Sequence, residues 1–99
     1  MRVPKLTEHE IEEHLPKLPG WNRHGEALGK TYTFKDFSHA MDFVNQVAET
    51  AESVQHHPDI HIRYNKVSLS LTTHDSGGLT QSDINLAAAC DDFADAVPA

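Results

Sequence analysis

The chain has a single cysteine, few basic residues over most of its length and no long apolar run. Cys90 is the only cysteine among 99 residues, so no intramolecular disulfide can form and we expect a reducing compartment, the cytoplasm. No Lys or Arg lies between Lys35 and Arg63 or after Lys66, and the net charge is −7. This distribution argues against nucleic-acid and anionic-membrane partners. No segment approaches the roughly 20 apolar residues that a membrane span requires.

The start of the chain shows no sign of a secretory leader. Met1 to Lys5 lead into a charged segment without an apolar signal region. The length suits one domain, and a hydrophobic content of 38% is that of a globular protein. Because neither a linker nor an internal repeat interrupts the chain, we predict a single domain over residues 1–99.

Three helices are predicted from caps and apolar periodicity. Thr7-Glu8-His9-Glu10 fits a capping box and starts a short first helix. Apolar residues recur at three- and four-residue steps over Asp36 to Val54, with Pro58 as the stop. Thr80-Gln81-Ser82-Asp83 caps a last helix that is expected to run to about Ala96.

Two hairpins are predicted between these helices. The first joins extended segments on either side of Gly25-Glu26. The second joins two alternating segments, 60–64 and 67–71, through a turn at Asn65-Lys66. The resulting order is helix-strand-strand-helix-strand-strand-helix. We therefore predict an α+β fold class, with a four-stranded antiparallel sheet and the helices packed on one face.

Three histidines lie at the two ends of the second predicted hairpin. His56 and His57 precede its first strand, and His74 follows its second. A hairpin brings its ends together, so we expect the three rings to become neighbours. The unperturbed pKa of histidine, about 6.5, is the side-chain pKa nearest working pH. The cluster therefore favours proton transfer.

Other interpretations of these residues stay open from the sequence. A histidine at the end of a helix can complement the helix dipole. Histidines with Asp59 and Asp75 could hold a divalent metal ion. Glu52 lies one helical turn before His56, so it could orient that ring or form only a surface ion pair.

Several segments together carry a likeness to one known family. They cover nearly the whole chain beyond the first helix: Gly20-Trp21, Phe34-x-Asp36-Phe37-x-x-Ala40, Glu52-x-x-x-His56-His57-Pro58-Asp59, Tyr64-Asn65-Lys66-Val67, Thr73-His74-Asp75, Gly78-Leu79-Thr80 and Asp83-Ile84-Asn85-Leu86-Ala87. In combination they resemble the pterin-4a-carbinolamine dehydratases. Two positions depart from the animal pattern: Ile60 replaces an aromatic residue and Ser76 replaces a cysteine.

The resemblance implies a hydro-lyase whose substrate is a small reduced pterin. Its reaction converts 4a-hydroxytetrahydrobiopterin to quinonoid dihydropterin and water, within tetrahydrobiopterin recycling. It implies no metal, no organic cofactor, and a homodimer or homotetramer. The alternative is a non-catalytic dehydratase-like assembly or binding partner. Such proteins typically lack one or more of the three histidines, whereas this chain has all three.

The resemblance also assigns the site residues. The catalytic histidines map onto His56, His57 and His74. The substrate-binding residues map onto Glu52, Pro58, Thr72 and Thr73. We expect His56 and His74 to act as acid and base on opposite sides of the pterin. His57 is expected to bind and orient the substrate, with Glu52 fixing the tautomer of His56.

Overall fold

The elements follow the predicted order along the chain. A computed structural model describes residues 3–98; residues 1, 2 and 99, and with them the two ends of the predicted domain, lie outside the described part. The elements are helix α1 (Glu8–His14), strands β1 (Asn22–His24) and β2 (Ala27–Thr33), helix α2 (Phe37–Val54), strands β3 (Asp59–Arg63) and β4 (Lys66–Leu71), and helix α3 (Gln81–Ala96).

The four strands form one antiparallel sheet in the order β1-β2-β4-β3. One face carries the core, and the other carries hydroxyl side chains such as Thr31 and Ser68, whose oxygens lie 2.8 Å apart. The predicted α+β fold is therefore confirmed. The core combines alternate strand positions with one face of each long helix: Leu28, Tyr32, Val67, Leu69, Leu71, Ala40, Phe43, Val47, Ile84, Ala87 and Cys90.

Helix α3 is tied to the sheet by one carboxylate. Asp91 Oδ1 accepts hydrogen bonds from Trp21 Nε1 at 3.1 Å, Lys30 Nζ at 2.8 Å and the Tyr32 hydroxyl at 2.5 Å. Burial of Tyr32 and its bond to Asp91 raise the pKa of that hydroxyl, so it stays a donor. The triple contact fixes the position of α3 against β2.

Both predicted helix caps form, and each is a capping box. Glu10 N–H donates to Thr7 Oγ1 at 3.1 Å, and Thr7 N–H donates to Glu10 Oε1 at 2.9 Å. At the start of α3, Thr80 N–H donates to Asp83 Oδ2 at 2.9 Å. These reciprocal bonds use backbone amides that a helix start leaves without partners.

Helix α2 ends at Val54, as predicted, but Pro58 is not what ends it. Gln55 adopts a left-handed conformation with φ 53°, and the following His56 N–H donates to Ala51 O at 3.0 Å. This geometry closes a helix by returning a bond to its last turn. His56 and His57 therefore lie outside the helix.

The turn of the second hairpin is one residue earlier than predicted. Arg63 pairs with Lys66, so the loop residues are Tyr64 and Asn65 rather than Asn65-Lys66. Tyr64 adopts a left-handed conformation with φ 50°, which places it in the turn, and the Asn65 side-chain amide donates to Phe34 O at 2.9 Å. Strand β3 forms an edge of the sheet and is exposed along its whole length.

Candidate active site

The three histidines line one cavity. Strand β4 lies between β2 and β3, so the residues that follow it come beside the segment that precedes β3. The cavity has a volume of about 220 Å³. Its lining consists of Gln55, His56, His57, Thr72, Thr73, His74 and Asp75. The hairpin thus brings together the three rings, as the sequence indicated.

His56 is held by a buried carboxylate from α3. Its Nε2 lies 2.5 Å from Asp83 Oδ1, and Asp83 is fully buried. The other oxygen of Asp83 accepts from Thr73 Oγ1 at 2.8 Å and from Thr80 N at 2.9 Å. Because a carboxylate only accepts, the neutral ring donates from Nε2 and keeps its lone pair at Nδ1.

His57 pairs with Glu52, and both side chains are largely exposed. The expected pairing of Glu52 with His56 is therefore wrong. The reason is the left-handed residue Gln55, which breaks the helical phase so that His56 turns toward α3 and His57 comes beside Glu52. An exposed pair of this kind orients the ring but adds little stability.

His74 opens a 3₁₀ turn, His74–Ser76, and its exposed ring makes no hydrogen bond to residues 3–98. Gly77 closes this turn with φ 77°, and its N–H donates to His74 O at 3.0 Å. The backbone of this turn is therefore fixed, while the His74 ring is free to contact a ligand in the cavity. Of the three imidazoles, this one alone lacks a carboxylate partner in the described part of the chain.

The predicted substrate-binding residues divide into two groups. Thr72 and Thr73 line the cavity, and both side chains are anchored: Thr72 Oγ1 donates to Glu26 O at 2.6 Å and Thr73 Oγ1 to Asp83. Pro58 is half-buried and Glu52 is exposed, and both lie outside the lining of this cavity. The side chain of Glu52 reaches the site through its pairing with His57.

Asp83 was not predicted as a site residue. In the sequence it stands at the third position of α3, where an acidic residue is fully explained by capping. The same carboxylate serves both the cap and His56, so no local pattern separates the two roles. Only the fold reveals that α3 starts beside the histidine segment.

A metal centre built on the histidines was the other chemical interpretation. Within residues 3–98, no group of three or more His, Cys, Asp or Glu side chains is arranged to hold a metal ion. Asp59 and Asp75, considered as ligands from the sequence, therefore complete no such group there.

No helix in the described part of the chain combines the length and apolarity needed to cross a bilayer.

Comparison with known proteins identifies a consistent set of relatives. The family model for pterin 4 alpha carbinolamine dehydratase matches residues 4–93. A protein of Thermomicrobium roseum is 55% identical over 86% of this chain and 91% of its own length. A protein of Sulfurisphaera tokodaii is 50% identical over 92% of this chain and 98% of its own. Both carry the provisional name pterin-4-alpha-carbinolamine dehydratase.

Two solved structures share the fold. The crystal structure of a transcriptional coactivator/pterin dehydratase from Brucella melitensis superposes with a TM-score of 0.88 at 40% identity, covering 91% of this chain and 98% of that one. A pterin dehydratase-like protein, described as a RuBisCO assembly factor of the alpha-carboxysome, gives a TM-score of 0.66 at 23% identity, covering 76% and 89%. The second likeness concerns the fold alone.

Proposed function

The chain belongs to the pterin-4a-carbinolamine dehydratase family of hydro-lyases, and we propose that its three clustered histidines perform the dehydration by acid/base catalysis. The proposed substrate is 4a-hydroxytetrahydrobiopterin, and the products are quinonoid dihydropterin and water, as a step of tetrahydrobiopterin recycling. The observation that carries the proposal is the single cavity lined by His56, His57 and His74.

The reaction needs two proton transfers. The bond between the ring carbon C4a and its hydroxyl oxygen breaks, and a proton must reach the departing oxygen so that it leaves as water. The lone pair of the neighbouring ring nitrogen forms the new double bond to that carbon, and the nitrogen loses its proton. One positioned acid and one positioned base are therefore sufficient, and each typically contributes about 10²–10⁴-fold.

The surroundings of each ring suggest its role. Asp83 stabilises the positive charge that His56 gains when it accepts a proton, so we assign His56 as the base for the ring nitrogen. The ring of His74 makes no hydrogen bond to a carboxylate within residues 3–98, which leaves both of its nitrogens free to face the departing oxygen, so we assign it as the acid. His57, oriented by Glu52, binds the substrate.

The test is replacement of each histidine by Ala, with the rate of quinonoid dihydropterin formation as the measurement. Variants at His56 and His74 are expected to lose roughly 10²–10⁴-fold in kcat/KM. The His57 variant is expected to change KM more than kcat. His9→Ala, on the exposed surface of α1, is the matched control.

The result that contradicts the proposal is a parental kcat/KM in all three variants. A parent protein that binds reduced pterin without turning it over would instead favour the alternative from the sequence, a non-catalytic binding or assembly partner.

Self-association and a cytoplasmic setting belong to the same proposal. Edge strand β3 carries Ile60 and Ile62, which are 37% and 36% exposed. An exposed apolar edge strand is a surface on which a second strand can pair. We therefore propose a homodimer joined through β3, with pairing into a homotetramer as the further possibility that the family resemblance implies. The single cysteine, Cys90, is buried, which suits a reducing compartment.

A further inference from the structure

Residues 3–6, named the strap here, lie alongside the segment that leads into α3. Leu6 N–H donates to Leu79 O at 2.8 Å, and Lys5 pairs with Thr80 in an antiparallel bridge. The side chain of Leu6 is partly buried and packs against the core. Backbone bonds and one apolar side chain therefore join the strap to the fold.

The strap lies beside the loop that carries His74. Thr73 and Gly78 exchange two backbone hydrogen bonds, at 3.0 and 3.3 Å, and form an isolated antiparallel bridge. Residues 74–77, named the His74 loop here, project from this bridge. The bridge fixes where the loop begins and ends, but it leaves the loop able to pivot about that point.

One hydrogen bond ties the His74 loop to the strap. Ser76 Oγ donates to Val3 O at 2.5 Å. Within residues 3–98, no other hydrogen bond joins residues 74–77 to a residue outside the segment 73–78. The direction in which the loop projects therefore depends on this bond.

An ion pair holds the strap against the base of the His74 loop. Lys5 Nζ lies 2.9 Å from Glu26 Oε2, on the turn of the first hairpin. Gly78 is buried, and a Cβ on it would overlap Glu26 Oε2 and lie 2.7 Å from Lys5 Cε. Because the pair packs directly on the backbone of Gly78, the strap is fixed at the point from which the loop projects.

The ring of His74 depends on its backbone more than the other two imidazoles do. A carboxylate orients each of those rings: Asp83 pairs with His56, and Glu52 pairs with His57. The ring of His74 makes no hydrogen bond within the described part of the chain, so a shift of its loop moves the ring with it. A reacting group misplaced by about 1 Å can lose roughly 10²-fold in rate.

We propose that Ser76 is a positioning residue for the dehydration, because its bond to Val3 keeps the His74 loop in the direction that presents the His74 ring to the substrate. The inference rests on the proposed function, in which His74 is the acid. Ser76 lies outside the lining of the histidine cavity, so its hydroxyl acts through the loop. Such a residue affects the chemical step performed by His74 and little else.

The experiment measures kcat and KM for quinonoid dihydropterin formation by the full chain. Ser76→Ala removes the donor, and we expect kcat to fall roughly three- to tenfold while KM stays within about twofold of the parent. Ser76→Thr keeps the hydroxyl and is expected to keep kcat near that of the parent.

A double variant separates positioning from general stability. In His74→Ala there is no ring left to position, so adding Ser76→Ala should leave the residual kcat/KM unchanged. A bond that only stabilises the fold would lower the rate by the same factor in both backgrounds.

Ser38→Ala is the matched control, because it removes an exposed hydroxyl near the start of α2, at the end remote from His56, and should keep the parental kcat. A parental kcat in Ser76→Ala, an equal loss in Ser76→Thr, or an equal loss in both backgrounds overturns the positioning role while dehydration itself stands. A parental kcat/KM in His74→Ala instead contradicts the proposed function, and the positioning role falls with it.

Discussion

At the scale of single residues, Asp83 does the most with one side chain. It caps α3, receives the Thr73 hydroxyl and holds His56, and it is fully buried while doing so. A buried carboxylate is tolerated only when its oxygens are hydrogen-bonded, and here both are. Stability and, under the proposed mechanism, catalysis therefore depend on the same atoms.

Asp83→Asn should separate these two roles. The amide can still accept from Thr80 N–H, but it carries no charge to stabilise a protonated His56. Because a hydrogen bond to a charged group contributes about 1.5–3 kcal/mol, we expect kcat to fall roughly 10- to 100-fold with little change in KM. Steady-state kinetics of quinonoid product formation measure this split.

Thr80→Val is the comparison variant. It removes the hydroxyl that accepts from Ser82 N–H at 3.2 Å and lies 2.9 Å from Thr73 Oγ1, whose bond to Asp83 remains; loss of the cap should cost about 0.5–2 kcal/mol of unfolding free energy. It leaves the His56–Asp83 pair in place, so kcat should stay near that of the parent. An equal loss of kcat in both variants would mean that Asp83 acts only through the stability of α3.

At the scale of elements, the sequence was most informative where one local signal decides the structure. Thr7 and Glu10 specify a cap, and the apolar period of α2 specifies its face, so both were predicted. The sequence was least informative where distant segments meet. Gln55 ends α2 in a left-handed conformation although it is not a glycine, so the sequence does not indicate this end. As a result Glu52 pairs with His57 instead of the expected His56. The contact between His56 and Asp83 depends on how α3 packs, which no local pattern contains.

The start of α2 provides a pH-dependent test. Bonds from the backbone and then the side chain of His39 lower the pKa of Asp36, the N-cap residue. Because the pKa of Asp36 is lowered in the folded state, the charged cap stabilises the protein fully above the pKa of an unfolded aspartate, about 3.9. This stabilisation is lost as the pH falls through the pKa of Asp36 in the folded state. The stability difference between the parent and Asp36→Ala should therefore be larger near about pH 6 than near about pH 3.

Urea unfolding followed by circular dichroism at both pH values measures this difference. Glu49→Ala, on the exposed face of the same helix, is the control, since its side chain makes no hydrogen bond to a cap within the described residues. A difference for Asp36→Ala that stayed constant with pH would exclude a charged cap.

At the scale of the whole molecule, the two edges of the sheet differ. Strand β1 is three residues long and polar, whereas β3 is longer and carries two isoleucines. Within residues 3–98, the outer backbone edge of β3 pairs with no other strand. Short polar edges resist pairing, and longer apolar ones invite it. This asymmetry is why we assign the dimer contact to β3.

Ile62→Lys should therefore shift the protein from dimer to monomer, because a charge on the pairing strand opposes strand addition. Light scattering after size-exclusion chromatography reports the mass. Asn22→Lys places the same charge on β1 and should leave the mass unchanged. Loss of the dimer in Asn22→Lys but not in Ile62→Lys would assign the contact to the other edge.

The left-handed residue at the end of α2 also bears on how the protein can change over generations. It uncouples the direction of His56 from the rotation of the helix, since Asp83 and not the helical phase sets that ring. Mutations on the solvent side of α2, apart from Glu52, can then alter what the surface binds without turning the ring of His56. Two selective pressures, on surface contacts and on chemistry, can act on neighbouring residues of one short chain with little mutual interference.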